Sequence, residues 1–482
     1  MRSSLIVLAL LIVTSVLVLA PRSLREFVTG EQRVLFTVWG MPFEDRLFAD
    51  VYARGFEAVE PEVRVDYRRY AEVQPKYTAW HARGVGAEVM RIGITDYHRM
   101  VERGMLLPLG DLIDDPEVGL DPAILDAIPS QLLDALRVDG ELYALPQDMA
   151  QYGLFYNRAI FDAYDAAHPD DPIGYPDETW DWAKLRDAAR KLTVREPDAG
   201  GTERIVTLGI DIELWQWPFM QFFVQAGGRL WSDDGLTTHI DSAAGVEAIE
   251  FLRTLVFEDR SFVPSFGEQQ GAGPNARFAT GRSAMLFAGS WMVPYFQLNA
   301  PDLDFAVAPS PRGRVAAVCA GSCLWGVSVH APRKEAAWDM LRWLVAPEQA
   351  IEYWDTLRVA PPANTDVIAS EGFRETRGIP DPDSPKRFTV PPMSGDLYDE
   401  YAAWLSYGTT PEPESGTAPA FIPASLYQRE LEQELAALLQ AILRNRNEPR
   451  AEDALKRVAA TVHGFVDRDR SSKGLPPVVR DR

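Results

Sequence analysis

The sequence is poor in cysteine, histidine and positive charge, and each shortage argues against a class of protein. Two cysteines in 482 residues are too few for a disulfide scaffold. Acidic residues outnumber basic ones by 70 to 48, and the resulting net charge of -22 repels phosphate backbones and anionic lipid. The six histidines lie apart, so none has the spacing of metal ligands. The sequence therefore indicates no nucleic-acid partner and no cofactor, and only a metal site built from distant residues stays open.

The two cysteines, Cys319 and Cys323, stand close together in the sequence AVCAGSC. In an extended chain, residues four apart are separated by about 13 Å, which is too far for a disulfide. A tight hairpin through the three small residues between them would bring the two sulfurs within range. The sequence favours two buried free thiols and leaves the disulfide as an alternative.

The amino terminus carries the longest hydrophobic run. After Met1 and Arg2, the uncharged segment 3–20 has the basic start and apolar middle of a signal peptide, and its length is at the lower limit for crossing a bilayer. Small residues at Val18 and Ala20 suit cleavage, whereas Pro21 hinders it. We therefore expect residues 1–30 to be a signal peptide or a membrane anchor, and the rest of the chain to be exported to the periplasm or the cell exterior.

The first hundred residues alternate between strand and helix patterns. Strands are predicted at 34–39 and 63–67, and a helix lies between them at 43–59, so these segments form a β-α-β unit. Continued alternation favours an α/β fold with parallel sheets over a β-sandwich. With 46% hydrophobic residues, a chain of this length can bury the cores of two lobes.

The segment 276–291, read ARFATGRSAMLFAGSW, holds a candidate site at the end of a strand. Residues 283–288 predict a buried strand, Gly289 allows a turn, and Ser290 can cap the next helix. Trp291 then falls at the carboxyl end of the strand, where open α/β sheets bind ligands, although a core position is equally compatible.

The second half of the chain is less regular in its pattern. Residues 327–329 predict a strand, and residues 366–392, rich in proline, glycine and charge, predict an irregular connection. Residues 427–443 and 451–466 predict two closing helices, and a polar tail follows at 469–482.

Several of these segments, in this order, resemble the extracellular solute-binding proteins of ABC importers, in particular the carbohydrate-binding group that includes maltose-binding protein. The lipidation cysteine of Gram-positive members is absent, and residues 366–414 match no part of the family pattern. The resemblance rests on the segments VLFTVWG, RGMLLPLGDLI, LPQDMAQYGLFYNRAIFD, TWDWAKLRDAARKLT, FFVQAGGRLW, ARFATGRSAMLFAGSW and LRWLVAPEQA.

The resemblance implies two hinge-linked α/β lobes in a periplasmic-binding-protein fold, with a ligand in the cleft between them. One lobe would contain residues 33–148 plus 320–372, and the other residues 149–319 plus 373–468. It also implies a carbohydrate ligand, the permease subunits of an ABC transporter as partners, and a monomer that touches the membrane only if the N-terminal helix is uncleaved.

A sugar site needs flat apolar platforms together with a few fixed polar groups. The resemblance places Trp215, Trp217 and Trp291 at the cleft as platforms. Four other tryptophans lie within predicted helices and are expected in the core, namely Trp180, Trp182, Trp338 and Trp343.

Carboxylates and amides suit sugar hydroxyls because one planar group can serve two neighbouring hydroxyls. Glu44 and Asp96 follow the first and third predicted strands, where family members place such groups; the alternative is that each is only an acid favoured at a helix start. The segment that crosses between the lobes supplies further candidates, and two weaker ones lie elsewhere. These are Gln147, Asp148, Gln151 and Tyr152 on the crossing segment, and Glu213 and Arg358 outside it.

The sequence leaves three functional hypotheses. The first is a binding protein that captures a sugar and performs no chemistry. The second is a glycoside hydrolase that uses Glu44, Asp96 and Asp148 as its acid and base. The third keeps the binding fold but takes a peptide, a polyamine or a phosphorylated polyol, with Arg69 or Arg358 binding the phosphate.

Overall fold

The structure is a computed structural model that describes residues 32–198, 200–265, 273–374, 378–381, 384–393, 395–409, 418–421, 425–447 and 450–480. The predicted signal peptide or anchor at the amino terminus lies outside these ranges. Within them, no helix is both long enough and apolar enough to cross a membrane.

The described strands and helices alternate along the chain. The strands are β1 (Gln32–Trp39), β2 (Val63–Tyr70), β3 (Val89–Gly93), β4 (Ala144–Pro146), β5 (Ala150–Asn157), β6 (Val194–Pro197), β7 (Glu203–Thr207), β8 (Asp211–Ile212), β9 (Met285–Gly289), β10 (Phe305–Ala308), β11 (Ala317–Gly321), β12 (Cys323–Gly326), β13 (Ile379–Asp381), β14 (Ser384–Val390) and β15 (Ala418–Phe421). The helical segments are Pro42–Glu44, Arg46–Ala53, Arg54–Val59, Gln74–His81, Ile94–Glu102, Gly110–Ile113, Pro122–Asp126, Ser130–Leu136, Arg158–Ala167, Trp182–Leu192, Gln216–Gln225, Ala243–Arg253, Thr254–Glu258, Pro274–Ala279, Met292–Asn299, Lys334–Leu344, Pro347–Leu357, Thr365–Ala369, Glu371–Arg374, Gly395–Thr409, Gln428–Arg444 and Ala451–Ser472.

The first lobe is built on a five-stranded sheet of order β2-β1-β3-β12-β4. Strand β1 runs parallel to β2 and β3, while β12 is antiparallel to β3 and β4. Val34, Phe36 and Val38 alternate along β1 and are fully buried, because successive side chains of a strand point to opposite faces and these three share one. The sheet therefore begins with the predicted β-α-β unit.

The second lobe is built on a sheet of order β15-β11-β5-β9-β8, with β10 also paired to β5. Strands β5 and β9 lie at its centre and are antiparallel, with Gly153 opposite Ala288. All five residues of β9 are buried, as the apolar run in this segment predicts. The carboxyl end of β9 thus presents Trp291 at the edge of this sheet.

Three passages of the chain join the lobes and lie side by side. The first connects β4 to β5, and the second connects β11 to β12 through Ser322. The third follows the helix Pro347–Leu357 and accepts a hydrogen bond at the Pro361 carbonyl from the Met149 N–H, at 2.8 Å. The two-lobe α/β prediction is confirmed, while the residue boundaries proposed for the lobes stay a prediction.

Local predictions fail where a side chain finds a distant partner. Ser290 does not cap the helix Met292–Asn299; its hydroxyl donates to the Val359 carbonyl at 2.8 Å, and Trp291 occupies the cap position. The strand predicted at 327–329 lies earlier, at β12, because pairing with β3 fixes it there. Both cysteines are free thiols.

The region 366–392 is more regular than its composition indicates. It contains the helices Thr365–Ala369 and Glu371–Arg374 and the hairpin of β13 and β14. Phe373 anchors it, since its ring stacks on Trp354 with centroids 4.1 Å apart. The last helix continues to Ser472, beyond its predicted end at 466.

Candidate functional site

A buried polar cluster lies where the three passages meet, and we call Glu44, Arg91, Gln147, Asp148 and Tyr353 the hinge network. Arg91, on β3, donates to Glu44 Oε1 at 3.0 Å and to Gln147 Oε1 at 2.9 Å. Its guanidinium also lies 3.7 Å from Asp148. One arginine therefore holds residues from the start of the first lobe and from the first passage.

Asp148 ties the passages to one another. Its carboxylate accepts the Cys323 N–H and the Tyr353 hydroxyl, each at 2.8 Å. Burial raises the pKa of Asp148, while the charge of Arg91 and these two donors oppose the rise. Glu44 and Asp148 thus have partners within the chain, and a ligand-binding role for them stays a prediction.

Four aromatic residues form a second group, which we call the aromatic wall: Tyr152, Trp215, Trp217 and Trp291. The Tyr152 ring lies 5.4 Å from Trp291 and 6.3 Å from Trp215, and the two indoles of Trp215 and Trp217 are 6.3 Å apart. Trp215 is 37% exposed, whereas Trp217 is 9% exposed and Trp291 is partly buried. Trp215 is therefore the most exposed of the three indoles, and its ring contacts Tyr152 and Trp217.

The crossing strand β5 places two polar side chains beside this wall. Gln151 is buried and its amide donates to the Leu405 carbonyl at 3.1 Å. The Tyr152 hydroxyl is buried and has no hydrogen-bond partner among the described residues. An unpaired buried hydroxyl costs about 1–3 kcal/mol, so this group destabilises the fold as it stands.

A cavity of about 310 Å³ lies between the lobes. Its lining is polar, and the first lobe contributes Asp96 while the second contributes Gln216, which follows Trp215 in the aromatic wall. The full lining is Thr95, Asp96, Gln216, Arg429, Glu432, Gln433 and Ala436. The cavity thus has hydrogen-bonding groups from both lobes, and its lining residue Gln216 is flanked in the sequence by Trp215 and Trp217.

Arg429 and Glu432 lie at the start of the helix Gln428–Arg444, and the sequence analysis did not select them. Arg429 donates to Asp96 at 2.8 Å, and Glu432 accepts from Gln216 at 3.3 Å. The sequence does contain a pattern that could have identified Glu432. Gln428 and Glu432 fall on the same helix face as the buried Leu435 and Leu439. Polar residues on an apolar face indicate a polar environment inside the fold.

Ion pairs also join the lobes outside the lining of this cavity. Arg99, on the helix Ile94–Glu102 of the first lobe, pairs with Glu430 of the second. One turn further along the same helix, Glu102 pairs with Lys473. The lobes therefore meet through complementary charges at the rim of the cleft.

The weaker candidates all have partners inside the protein. Glu213 accepts the Asn275 amide at 2.5 Å, and Arg69 pairs with Asp45 at 2.7 Å. Arg358 is fully buried and donates to the carbonyls of Asp355 and Pro391, and burial lowers its pKa to about 10. The tryptophans expected in the core are buried or partly buried, namely Trp180, Trp182, Trp338 and Trp343.

The three acids that a hydrolase would need are not grouped. Asp96 lines the cavity beside Arg429, whereas Glu44 and Asp148 are buried around Arg91. Within the described ranges, no group of three or more histidine, cysteine, aspartate or glutamate residues is arranged to hold a metal ion.

Comparison with known proteins supports one family. The sequence profile described as bacterial extracellular solute-binding protein matches residues 54–381. No curated protein sequence matches the chain.

Solved structures with similar folds cover nearly the whole chain. An ABC substrate-binding protein of Listeria monocytogenes in complex with cycloalternan is 21% identical, covers 92% of this chain and all of its own, and has a TM-score of 0.71. The sugar-binding protein MalE of Xanthomonas citri is 18% identical, covers 92% of this chain and 99% of its own, and has a TM-score of 0.68. The maltodextrin-binding domain MalE of Bdellovibrio bacteriovorus, bound to maltotriose, is 18% identical, with coverages of 90% and 99% and a TM-score of 0.66. At these identities the similarity establishes the fold.

Proposed function

The chain belongs to the bacterial extracellular solute-binding protein family, and from this premise we propose that it captures a sugar or oligosaccharide for an ABC importer. The protein is exported, binds the saccharide between its lobes and delivers it to permease subunits in the membrane. It performs no chemistry on the sugar. Relatives of the same fold are described as bound to cycloalternan and to maltotriose.

The observation that carries the proposal is a polar cavity between the lobes whose lining residue Gln216 stands in the sequence between Trp215 and Trp217 of the aromatic wall. A pyranose has apolar C–H faces and a rim of hydroxyls, so an exposed indole such as Trp215 suits the face. Asp96 and Gln216 line the cavity and suit the rim, since carboxylate and amide groups both bond to hydroxyls. The cavity of about 310 Å³ is at the small end of the range for ligand sites, so one or two sugar rings fit before the lobes move.

A thermal-shift panel tests the proposal. The purified exported domain is heated with maltotriose, cellotriose, mannotriose, cycloalternan, a tripeptide, spermidine and a phosphorylated polyol. A sugar at 100 times its Kd stabilises the folded state by about 2.7 kcal/mol and raises the melting temperature by several degrees. If only spermidine, the tripeptide or the phosphorylated polyol raises the melting temperature, that compound and not a sugar is the class of ligand. Analysis of the recovered sugars checks for hydrolysis, which would revive the enzyme hypothesis.

Reversing one charge at the rim is expected to weaken closure of the lobes. Arg99→Glu places a negative charge against Glu430, and the second change Glu430→Arg restores an attractive pair. Since exposed ion pairs contribute about 0.2–1 kcal/mol, the single variant should raise the Kd of the bound sugar about two- to fivefold and enlarge the ligand-free radius of gyration. Calorimetry and small-angle X-ray scattering measure the two effects.

The double variant should recover most of the wild-type affinity. Arg190→Glu is the matched control, because Arg190 pairs with Asp187 on the same helix of one lobe. If the single and double variants bind equally, or the control weakens binding as much, the rim pairs do not contribute to closure.

A further inference from the structure

Glu432 is a buried carboxylate of the cleft with only neutral hydrogen-bond partners. It is 9% exposed and lines the cavity between the lobes. Its Oε2 accepts the Gln216 amide at 3.3 Å, and its Oε1 accepts the Gln428 amide at 3.2 Å. In the part of the chain that the structure describes, no lysine, arginine or histidine forms an ion pair with it.

The other charges of the cavity cancel. Asp96 and Arg429 line the same space and pair at 2.8 Å. The lining thus has two negative groups and one positive group, and the charge without a counterpart is that of Glu432.

Neighbouring residues fix the orientation of this carboxylate. Trp231 donates its indole N–H to Gln428 Oε1 at 2.7 Å, so the Gln428 amide is turned with its NH₂ toward Glu432. Each carboxylate oxygen accepts more than one hydrogen bond, so Glu432 can still bind a hydroxyl in the cavity. Such a preset acceptor loses little conformational entropy when a ligand arrives.

We propose that Glu432 sets the charge specificity of the cleft. Its carboxylate accepts a hydrogen bond from a hydroxyl of a neutral saccharide and repels saccharides that carry a carboxylate or a phosphate. A like charge placed next to it in a buried site is costly, because water does not screen the repulsion. This inference rests on the proposed sugar-binding function and names the class of saccharide that the cleft accepts.

The discrimination depends on pH near neutrality. Burial raises the pKa of Glu432 to about 7, and the negative charge of Asp96 acts in the same direction. The amides of Gln428 and Gln216 and the charge of Arg429 oppose the rise, and the buried Cys319 thiol also faces the group. Below pH 7 the carboxyl is mostly neutral, so repulsion of an anionic sugar is weak; above pH 7 it is charged, so repulsion is strong.

Matched neutral and uronate trisaccharides test the inference by calorimetry at pH 6 and pH 8. The probes are maltotriose, cellotriose and mannotriose, each compared with its counterpart oxidised at C6. The wild type should prefer the neutral sugar, and the preference should grow about fivefold or more from pH 6 to pH 8. Glu432→Gln should bind the uronate about tenfold more tightly at pH 8 and lose the pH dependence.

Two further variants distinguish the effect of the Glu432 charge from any effect of the substitution on the folded structure. Glu434→Gln removes a negative charge from the same helix outside the cavity lining and should leave the preference unchanged. Glu432→Asp keeps the charge and should keep the pH-dependent preference, and melting temperatures verify folding. If Glu432→Gln leaves both the preference and its pH dependence intact, the inference is wrong while the sugar-binding function stands. If no saccharide binds the wild type, both are wrong.

Discussion

Replacing Arg91 by alanine should lower the free energy of unfolding by about 3–5 kcal/mol, which is the usual cost of removing one partner of a buried ion pair. The Arg91 side chain is 3% exposed, and its partners Glu44 and Asp148 are 7% and 2% exposed. Without the guanidinium, two buried carboxylates face each other with no cation between them. Chemical denaturation in urea measures the loss as a lower midpoint.

The matched control is Arg190→Ala. Arg190 pairs with Asp187 at 2.7 Å, but the two side chains are 60% and 32% exposed, and such surface pairs contribute little. The control should therefore change stability by less than about 0.5 kcal/mol. Equal urea midpoints for the two variants would mean that the hinge network does not stabilise the fold.

Replacing Trp215 by alanine should raise the Kd of the best-binding sugar of the panel about 30-fold, or about 2 kcal/mol, as expected for an aromatic residue at the centre of a binding site. The Trp215 ring is the exposed member of the aromatic wall, and its loss removes one ring neighbour of Tyr152 and one of Trp217. The fold should be little affected, since 37% of this residue is already exposed. Calorimetry measures affinity, and the melting temperature verifies folding.

Tyr175→Ala serves as the control for this variant. Tyr175 is 42% exposed, and its ring packs against Tyr156 and Phe161 and not against the aromatic wall. Its removal should leave sugar affinity unchanged. If the Trp215 variant binds the sugar with unchanged affinity, Trp215 does not contact the sugar and the aromatic wall is not part of the binding site.

The strands and helices could be predicted from the sequence because the spacing of apolar residues depends directly on which side chains are buried. The apolar run at 283–288 becomes the buried strand β9, and the alternation at 34–39 becomes β1. Prediction failed for Ser290, whose hydroxyl bonds to Val359, 69 residues away in the chain. A capping rule sees only neighbours along the sequence, so it cannot include such a partner.

The candidate site was predicted only in part for the same reason. Asp96 lines the cavity between the lobes, but Glu44 has Arg91 as a partner, and nothing in the local sequence indicates that contact. Glu432 was not predicted as a site residue because acidic residues are common on helices. Its position on the face of Leu435 and Leu439 was the informative feature, since carboxylates are rarely fully buried unless paired.

The two free thiols, Cys319 and Cys323, affect how the protein can be labelled. Burial raises the pKa of both Cys319 and Cys323, so neither is a reactive thiolate at neutral pH. Because these are the only cysteines of the sequence, we expect maleimide dyes not to react with the native chain. One cysteine introduced on the surface of each lobe would then carry a donor or an acceptor fluorophore. Energy transfer between the two fluorophores in single molecules would measure the opening and closing of the lobes.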